Sequence, residues 1–188
     1  MAIIKELDYQ PNIMARRLSS KKTLRFAAII PSVSQESDYW SAPLRGIQQA
    51  SAEMKDYGVG VDVCLFDQNE KESFNDMANE VLATEYNGIL LAPMFETESI
   101  EFIKKCEKLK IPVVLINSDI KNQRTLTYIG PDLYQSGYLS AHLISYFVKD
   151  EDQILIVNVS KELDRHHHLL RKEEGFRKYY ETKQRKTR

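Results

Sequence analysis

Short apolar runs alternate with amphipathic stretches along most of the 188-residue chain. The apolar runs are nearly uninterrupted, as is typical of strands that are buried on both faces of a sheet. These runs predict strands at residues 24–31, 59–66, 88–92, 113–116, 126–129 and 153–159.

The stretches between the runs place apolar side chains three or four positions apart, which is the spacing of one helix face. They predict helices at residues 42–57, 71–85, 97–110, 133–149 and 168–180, and Gly58 ends the first of them. Strands that alternate with helices of this length form βαβ crossovers, so we expect an α/β fold with a doubly wound parallel sheet. Ligands of such sheets bind at the carboxyl ends of the strands.

With 43% apolar and 28% charged residues, the chain has the composition of an ordinary globular protein. It contains no run of about 18 uncharged apolar residues, so no membrane span is predicted. Glu6 stands where a secretory signal would hold its apolar core, and we therefore expect a cytoplasmic protein. Cys64 and Cys106 fall in a predicted strand and a predicted helix, which favours free thiols over a disulfide or a metal pair.

The net charge of −1 conceals an uneven distribution along the chain. Residues 1–25 carry six basic and two acidic side chains, and residues 171–188 carry eight basic and three acidic ones. The remaining residues hold 12 basic and 22 acidic side chains. A basic arm on an acidic body suits a protein that contacts a polyanion with one end, although a solvated tail would have the same charge.

Residues 11–18 combine a helix start with neighbouring apolar and basic positions. Pro11 fixes its own backbone φ angle, and Asn12 can cap a helix. A helix this short is marginal alone in water, so we expect it to fold against a partner, either DNA or a second copy of the chain. The alternative is an ordinary basic N-terminal helix.

This segment resembles the hinge helix of LacI/GalR-type transcriptional regulators. In that family the hinge joins a helix-turn-helix head to an effector-binding domain of the periplasmic-binding-protein-like type I fold. The resemblance implies a minor-groove contact with operator DNA, in which Leu18 wedges open a base step. The residues that it assigns to DNA binding are Pro11, Asn12, Ala15, Arg16, Arg17 and Leu18. It also implies a homodimer, a small-molecule effector and no membrane partner.

The resemblance extends over essentially the whole chain and divides it into three parts. Residues 1–23 match the end of the head and the hinge, residues 24–149 the N-terminal lobe of the effector-binding domain, and residues 150–188 the start of its C-terminal lobe. We expect the rest of the head and of the second lobe to be missing from this sequence. On that expectation the chain binds operator DNA weakly and mainly through charge, and its exposed apolar faces make it marginally stable.

Short motifs in the family's order carry this resemblance beyond the hinge. They are AAIIP at 27–31, RGI at 45–47, NGILLAP at 87–93, IPVVLIN at 111–117, YIGPD at 128–132 and a helix with Arg171 ahead of a GF pair at 175–176. In the family, loops that follow the strands line a ligand cleft between two lobes. The resemblance assigns that lining here to Ser32, Asp38, Tyr39, Trp40, Met94, Phe95, Asn117, Asp119, Asp132 and Arg171. Aromatic rings stack on sugar faces, and carboxylates and amides bond sugar hydroxyls, so a carbohydrate is the favoured effector.

Several of these residues also have a purely structural interpretation. Trp40 is the single tryptophan and can equally fill an apolar gap, and Asp132 can cap the helix that follows it. The three histidines at 166–168 are adjacent and cannot all face one ion, so a solvated loop or a ligand contact is favoured over a metal site. No metal and no cofactor are predicted.

The sequence contains no enzyme signature of the familiar kinds. It lacks a glycine-rich dinucleotide motif after the first strand, a phosphate-binding loop and a nucleophile elbow, so we predict that the protein is not an enzyme. Two alternatives share the predicted fold class. A periplasmic-type sugar-binding protein of a transporter would have the same sensor fold but would not need residues 11–18, and a flavodoxin-like enzyme would need a phosphate loop.

Overall fold

Strands and helices alternate along residues 23–34, 38–149, 151–157 and 167–186, the part of the chain that the computed structural model describes. The five strands are β1 (Leu24–Pro31), β2 (Val59–Phe66), β3 (Gly88–Leu91), β4 (Val113–Ile116) and β5 (Thr127–Ile129). The α-helices of these ranges are α1 (Ser41–Met54), α2 (Lys71–Leu82), α3 (Glu96–Lys108), α4 (Leu133–Ile144) and α5 (His167–Lys186).

The strands form one parallel sheet in the order β2-β1-β3-β4-β5. Leu24 lies opposite Val59 where β1 pairs with β2, and Ile116 lies opposite Ile129 where β4 pairs with β5. Both pairings are parallel, and the order is that of a doubly wound sheet. The α/β fold class predicted from the alternation of patterns is therefore confirmed. The described residues fall into two units, one up to Leu90 and one from Leu91 onward.

The core of the first unit is built on β1, whose residues 27–31 are buried. Phe66 at the end of β2 meets Phe74 of α2 edge to face, with 5.1 Å between the ring centroids. The first helix is shorter than predicted, because α1 ends at Met54 and the next three residues form a single 3₁₀ turn. Gly58 then adopts a φ of 72°, which is the left-handed conformation that glycine accepts without strain.

A polar cluster closes the amino-terminal end of β1 in the same unit. Arg25 donates to a carboxylate oxygen of Asp62 at 2.5 Å, and the Tyr86 hydroxyl donates to the same oxygen at 3.0 Å. The hydrogen bond from Arg25 lowers the pKa of Asp62. Burial, followed by the bond to Asp62, raises the pKa of Tyr86 to about 12. Asn87 is hydrogen-bonded to β1 at this point, because its side-chain oxygen accepts from the backbone amide of Arg25 at 2.8 Å.

The buried apolar residues of the second unit include Phe102 and Ile103 of α3 and Val113 and Leu115 of β4. Cys106 of α3 is also buried, as a free thiol, and burial raises its pKa to about 12. The other free thiol, Cys64, is half-buried in β2 of the first unit.

Helices α4 and α5 cross at two glycines, so closely that their backbones touch. A Cβ atom at Gly137 would overlap the carbonyl group of Lys172, and one at Gly175 would overlap that of Tyr134. Aromatic contacts flank this crossing, and the Tyr179 hydroxyl shares a hydrogen bond of 2.8 Å with that of Ser145. The absence of side chains at the two glycines is therefore what permits this packing.

Two predicted elements near the end of the chain differ from the structure. The helix predicted at 133–149 ends at Ile144, because Tyr146 and Phe147 bond to carbonyls three residues back and close the chain into turns. Residues 153–157 form no strand, so this part of the strand predicted at 153–159 was wrong. Leu155 and Val157 are 84% and 69% exposed, and a strand needs a hydrogen-bonded neighbour that these residues do not find among the described strands.

Candidate functional site

A cavity of about 420 Å³ opens in the second unit where β4 and β5 end and α4 begins. All of its lining residues belong to that unit. They are Ser118, Asp119, Lys121, Tyr128, Gly130, Pro131, Asp132, Leu133, Tyr134 and Arg171. The cavity thus lies at the carboxyl ends of two parallel strands, where doubly wound sheets bind their ligands.

The loop after β4 begins with a residue in an unusual backbone conformation. Asn117 has a φ of 71°, which asparagine tolerates better than most residues with a side chain. Its amide donates to the carbonyl of Ile129 at 3.0 Å, so the end of β4 stays joined to the end of β5. The turn brings Ser118 and Asp119 to the cavity, the former only 8% exposed and the latter exposed.

The loop after β5 is organised around the Tyr128 side chain. Its hydroxyl donates to the carbonyl oxygen of Asn117 at 3.0 Å and to that of Pro131 at 2.8 Å. The ring folds back over Gly130, where a Cβ atom would overlap the phenol. This loop ends in Asp132, which is the N-cap residue of α4.

Asp132 both caps α4 and lines the cavity. Its carboxylate accepts from the amide of Gln135 at 2.9 Å, and its carbonyl accepts from the amide of Ser136 at 2.9 Å. An aspartate at this position also interacts favourably with the positive end of the helix dipole. The capping interpretation of Asp132 is therefore confirmed, and its position leaves the ligand contact as a compatible prediction.

Arg171 of α5 supplies a fixed cation to the cavity. Its guanidinium lies over the Tyr134 ring, 5.2 Å from the centroid, and pairs with the carboxylate of Glu174. A guanidinium has five N–H donors in a rigid plane, so two local contacts leave donors for hydroxyl, carboxylate or phosphate groups of a ligand. With Asp119, Asp132 and Lys121, the lining carries equal numbers of acidic and basic side chains.

The structure brings together three of the ten predicted ligand residues, namely Asp119, Asp132 and Arg171. Asn117 lies beside them through its bond from Tyr128. Met94 and Phe95 stand between β3 and α3, both half-buried, and do not line this cavity. The other lining residues were not predicted, although Tyr128, Gly130 and Pro131 lie within the same YIGPD motif that pointed to Asp132.

The remaining predicted residues of the ligand site belong to the first unit. Ser32 follows β1, and its amide donates to the carbonyl of Phe66 at 2.8 Å. Asp38 and Tyr39 are exposed, whereas Trp40 is only 3% exposed and packs edge to face against Tyr39. Its burial agrees with the gap-filling interpretation of Trp40 and leaves the predicted ligand contact untested.

The residues predicted to bind DNA lie outside the described part of the chain, as does His166. They are Pro11, Asn12, Ala15, Arg16, Arg17 and Leu18. Within the described residues, no three histidine, cysteine or carboxylate side chains group as they would around a metal ion. None of the helices in that part of the chain has both the length and the apolar character needed to cross a membrane.

Comparison with known proteins assigns this architecture to a family. Residues 27–187 match the model of the periplasmic binding protein domain, and the chain belongs to that family. Catabolite control protein A of Staphylococcus epidermidis is 30% identical over 120 residues, which are 64% of this chain and 34% of the relative. The protein of the same name from Priestia megaterium is 29% identical over 135 residues, 72% of this chain and 38% of the relative. The matched region thus spans about a third of the curated relatives' length.

Solved structures give the same architecture. A Bacteroides fragilis protein described as a LacI transcriptional regulator superposes with a TM-score of 0.77 at 25% identity, over 86% of this chain and 56% of that one. GanP, a glucose-galactose binding protein from Geobacillus stearothermophilus, superposes with a TM-score of 0.69 at 22% identity, over 85% of this chain and 54% of that one. The second likeness concerns the fold alone.

Proposed function

We propose that this chain is the effector-sensing part of a cytoplasmic LacI-type transcriptional regulator, and that the cavity beyond β4 and β5 binds a carbohydrate. The observation that carries the proposal is the meeting of Asp119, Asp132 and Arg171 in one cavity at the strand ends. The similarity to catabolite control protein A and to the Bacteroides fragilis LacI regulator supports the regulatory part. Neither similarity covers the whole length of the relative.

The chemistry of the lining suits a polyhydroxylated ligand. Carboxylates accept hydrogen bonds from sugar hydroxyls, and the Arg171 guanidinium donates to the hydroxyl or ring oxygens. Tyr128 and Tyr134 add aromatic surface, which packs against the apolar C–H face of a pyranose. A volume of about 420 Å³ lies at the lower end of the range of small-molecule sites, as a monosaccharide requires.

A periplasmic-type sugar-binding protein of a transporter is the second candidate. The fold likeness to the glucose-galactose binding protein favours it, and such a protein would use the same cavity in the same way. The two candidates differ in residues 11–18, because only the regulator needs a segment that contacts DNA. The salt dependence of DNA binding, compared between the wild-type chain and a variant without Arg16 and Arg17, therefore separates them.

Isothermal titration tests the carbohydrate site. The purified chain is titrated with glucose, galactose, arabinose, ribose, fructose and tagatose, alongside the Asp119→Asn and Asp56→Asn variants. We expect one sugar to bind the wild-type chain and the Asp56→Asn control equally. Asp119→Asn should weaken binding about tenfold, since a carboxylate bonded to a ligand hydroxyl contributes roughly that factor. If none of the six sugars binds, or if Asp119→Asn binds as tightly as the control, the cavity is not the carbohydrate site.

A further inference from the structure

One hydroxyl group joins the two loops that border the cavity. The β4 loop carries Ser118, Asp119 and Lys121, and the β5 loop carries Gly130, Pro131 and Asp132. The Tyr128 hydroxyl donates to the Asn117 carbonyl, immediately before the β4 loop residues, at 3.0 Å. It also donates to the Pro131 carbonyl in the β5 loop, at 2.8 Å. The two acceptors are 14 residues apart in the chain, at Asn117 and Pro131.

The hydroxyl has no proton left over for a ligand. A phenol carries a single donor hydrogen, and here two carbonyl oxygens share it in a three-centre bond. Tyr128 therefore borders the cavity with its ring, while its polar end is engaged with the backbone on both sides. This arrangement identifies a residue that holds other residues in place rather than one that recognises a ligand by donating to it.

The neighbouring sequence makes room for this contact. Gly130 lies directly under the phenol, and a Cβ atom there would overlap the Tyr128 hydroxyl and ring. The backbone of Gly130 does not require a glycine, because the described residues with a positive φ are at other positions. The glycine is thus explained by the space that Tyr128 occupies, which ties the two residues to one role.

We propose that Tyr128 is a positioning residue that fastens the β4 loop to the β5 loop and so fixes the separation of Asp119 and Asp132 across the cavity. The part of this inference that concerns affinity rests on the proposed carbohydrate site. The part that concerns the loops does not. Without the hydroxyl, the backbone bond from Asn117 to Ile129 still joins the strand ends, but the loops beyond it lose the link through Tyr128, and the carboxylates no longer present one fixed geometry to a ligand.

Hydrogen–deuterium exchange tests the fastening without any ligand. The variant is Tyr128→Phe, and the matched control is Tyr180→Phe, which also removes a bond from a tyrosine hydroxyl to a backbone carbonyl, that of Ala141. We expect Tyr128→Phe to speed exchange about fivefold in residues 117–121 and 130–135 together, the factor expected for loss of one ordinary hydrogen bond. Tyr180→Phe should leave both segments unchanged.

The glycine supplies a second variant and the sugar a second measurement. Gly130→Ala should displace the phenol and reproduce the exchange pattern of Tyr128→Phe, and the double variant should add nothing further. For any sugar that binds the wild-type chain, Tyr128→Phe should weaken binding about tenfold at a melting temperature equal to that of Tyr180→Phe. Unchanged exchange in either loop, or faster exchange in one loop only, overturns the proposal. Absence of sugar binding by the wild-type chain refutes the carbohydrate site and leaves the exchange result to decide the role of Tyr128.

Discussion

At the residue scale, the geometry of the cavity rests on contacts between residues that are distant in the sequence, such as Tyr128 with Asn117 and Arg171 with Tyr134. Asp119 and Asp132 were predicted from the family resemblance, which assigns the cleft lining to the loops that follow the strands. The engagement of Tyr128 with two backbone carbonyls depends on where the loops lie in space, which no local pattern encodes. The stacking of Arg171 on Tyr134 likewise joins residues from different helices. Such contacts are visible only once the fold is known.

The two roles of Asp132, helix capping and the proposed ligand contact, can be separated experimentally. Serine also caps helices but carries no negative charge, whereas alanine neither caps a helix nor carries a charge. We expect Asp132→Ser to keep nearly the wild-type free energy of unfolding, and Asp132→Ala to lose about 1 kcal/mol, the usual value of a cap. Urea unfolding measures both. If Asp132 also contacts the sugar, both variants lose affinity in calorimetry.

Two results would contradict these expectations for Asp132. A serine variant that unfolds as easily as the alanine variant would mean that the carboxylate stabilises the site through its charge and not by capping. A serine variant with wild-type sugar affinity would restrict Asp132 to a structural role.

At the element scale, the strands of the sheet were predicted better than the helix ends or the strand at 153–159. β1, β2 and β4 have the predicted bounds, because a run of apolar residues in a parallel sheet is itself the signal. Helix ends depend on local bonds such as those that stop α4 at Ile144. The strand predicted at 153–159 requires a pairing partner, which is a non-local property that composition does not report.

The crossing of α4 and α5 leads to a prediction with an internal control. Gly137→Ala should destabilise the protein by about 1–3 kcal/mol, because the new methyl group meets the Lys172 carbonyl and must push the helices apart. Gly46→Ala in α1 places its methyl group in open space, so it should stabilise the protein by about 0.5–1 kcal/mol through helix propensity. Chemical denaturation of both variants measures the difference. Equal stabilities for the two would show that the helices do not depend on this contact.

This contact also bears on the division into lobes. The sequence placed residues 133–149 with the first lobe and 150–188 with the second. The backbone contact shows that α4, which the sequence placed in the first lobe, packs against α5, which it placed in the second. Gly175 belongs to the GF pair that carried part of the resemblance, but its close approach to α4 was not predicted from that motif.

At the scale of the whole molecule, the charge distribution separates a basic arm from an acidic body. Six basic side chains lie within residues 1–25, while residues 26–170 carry 22 acidic and 12 basic side chains. An acidic body repels a polyanion, so any contact with DNA must be concentrated in the basic ends. The proposed regulator uses Arg16 and Arg17 for this contact, and a transporter-associated binding protein has no such need.

Salt dependence of DNA binding tests this arrangement. Each cation that neutralises a phosphate contributes about 0.9 to the slope of log K against log salt concentration. The double variant Arg16→Ala/Arg17→Ala should therefore lower the slope of the wild-type chain by about 2, measured by fluorescence anisotropy with a labelled duplex. The double variant Lys104→Ala/Lys108→Ala removes the same charge from α3 and should leave the slope unchanged. If Arg16 and Arg17 bind phosphates, as this proposal requires, the loss on their removal should be the same on duplexes of different sequence. Equal slopes for the two double variants would remove the DNA contact from residues 11–18 and favour the sugar-binding protein.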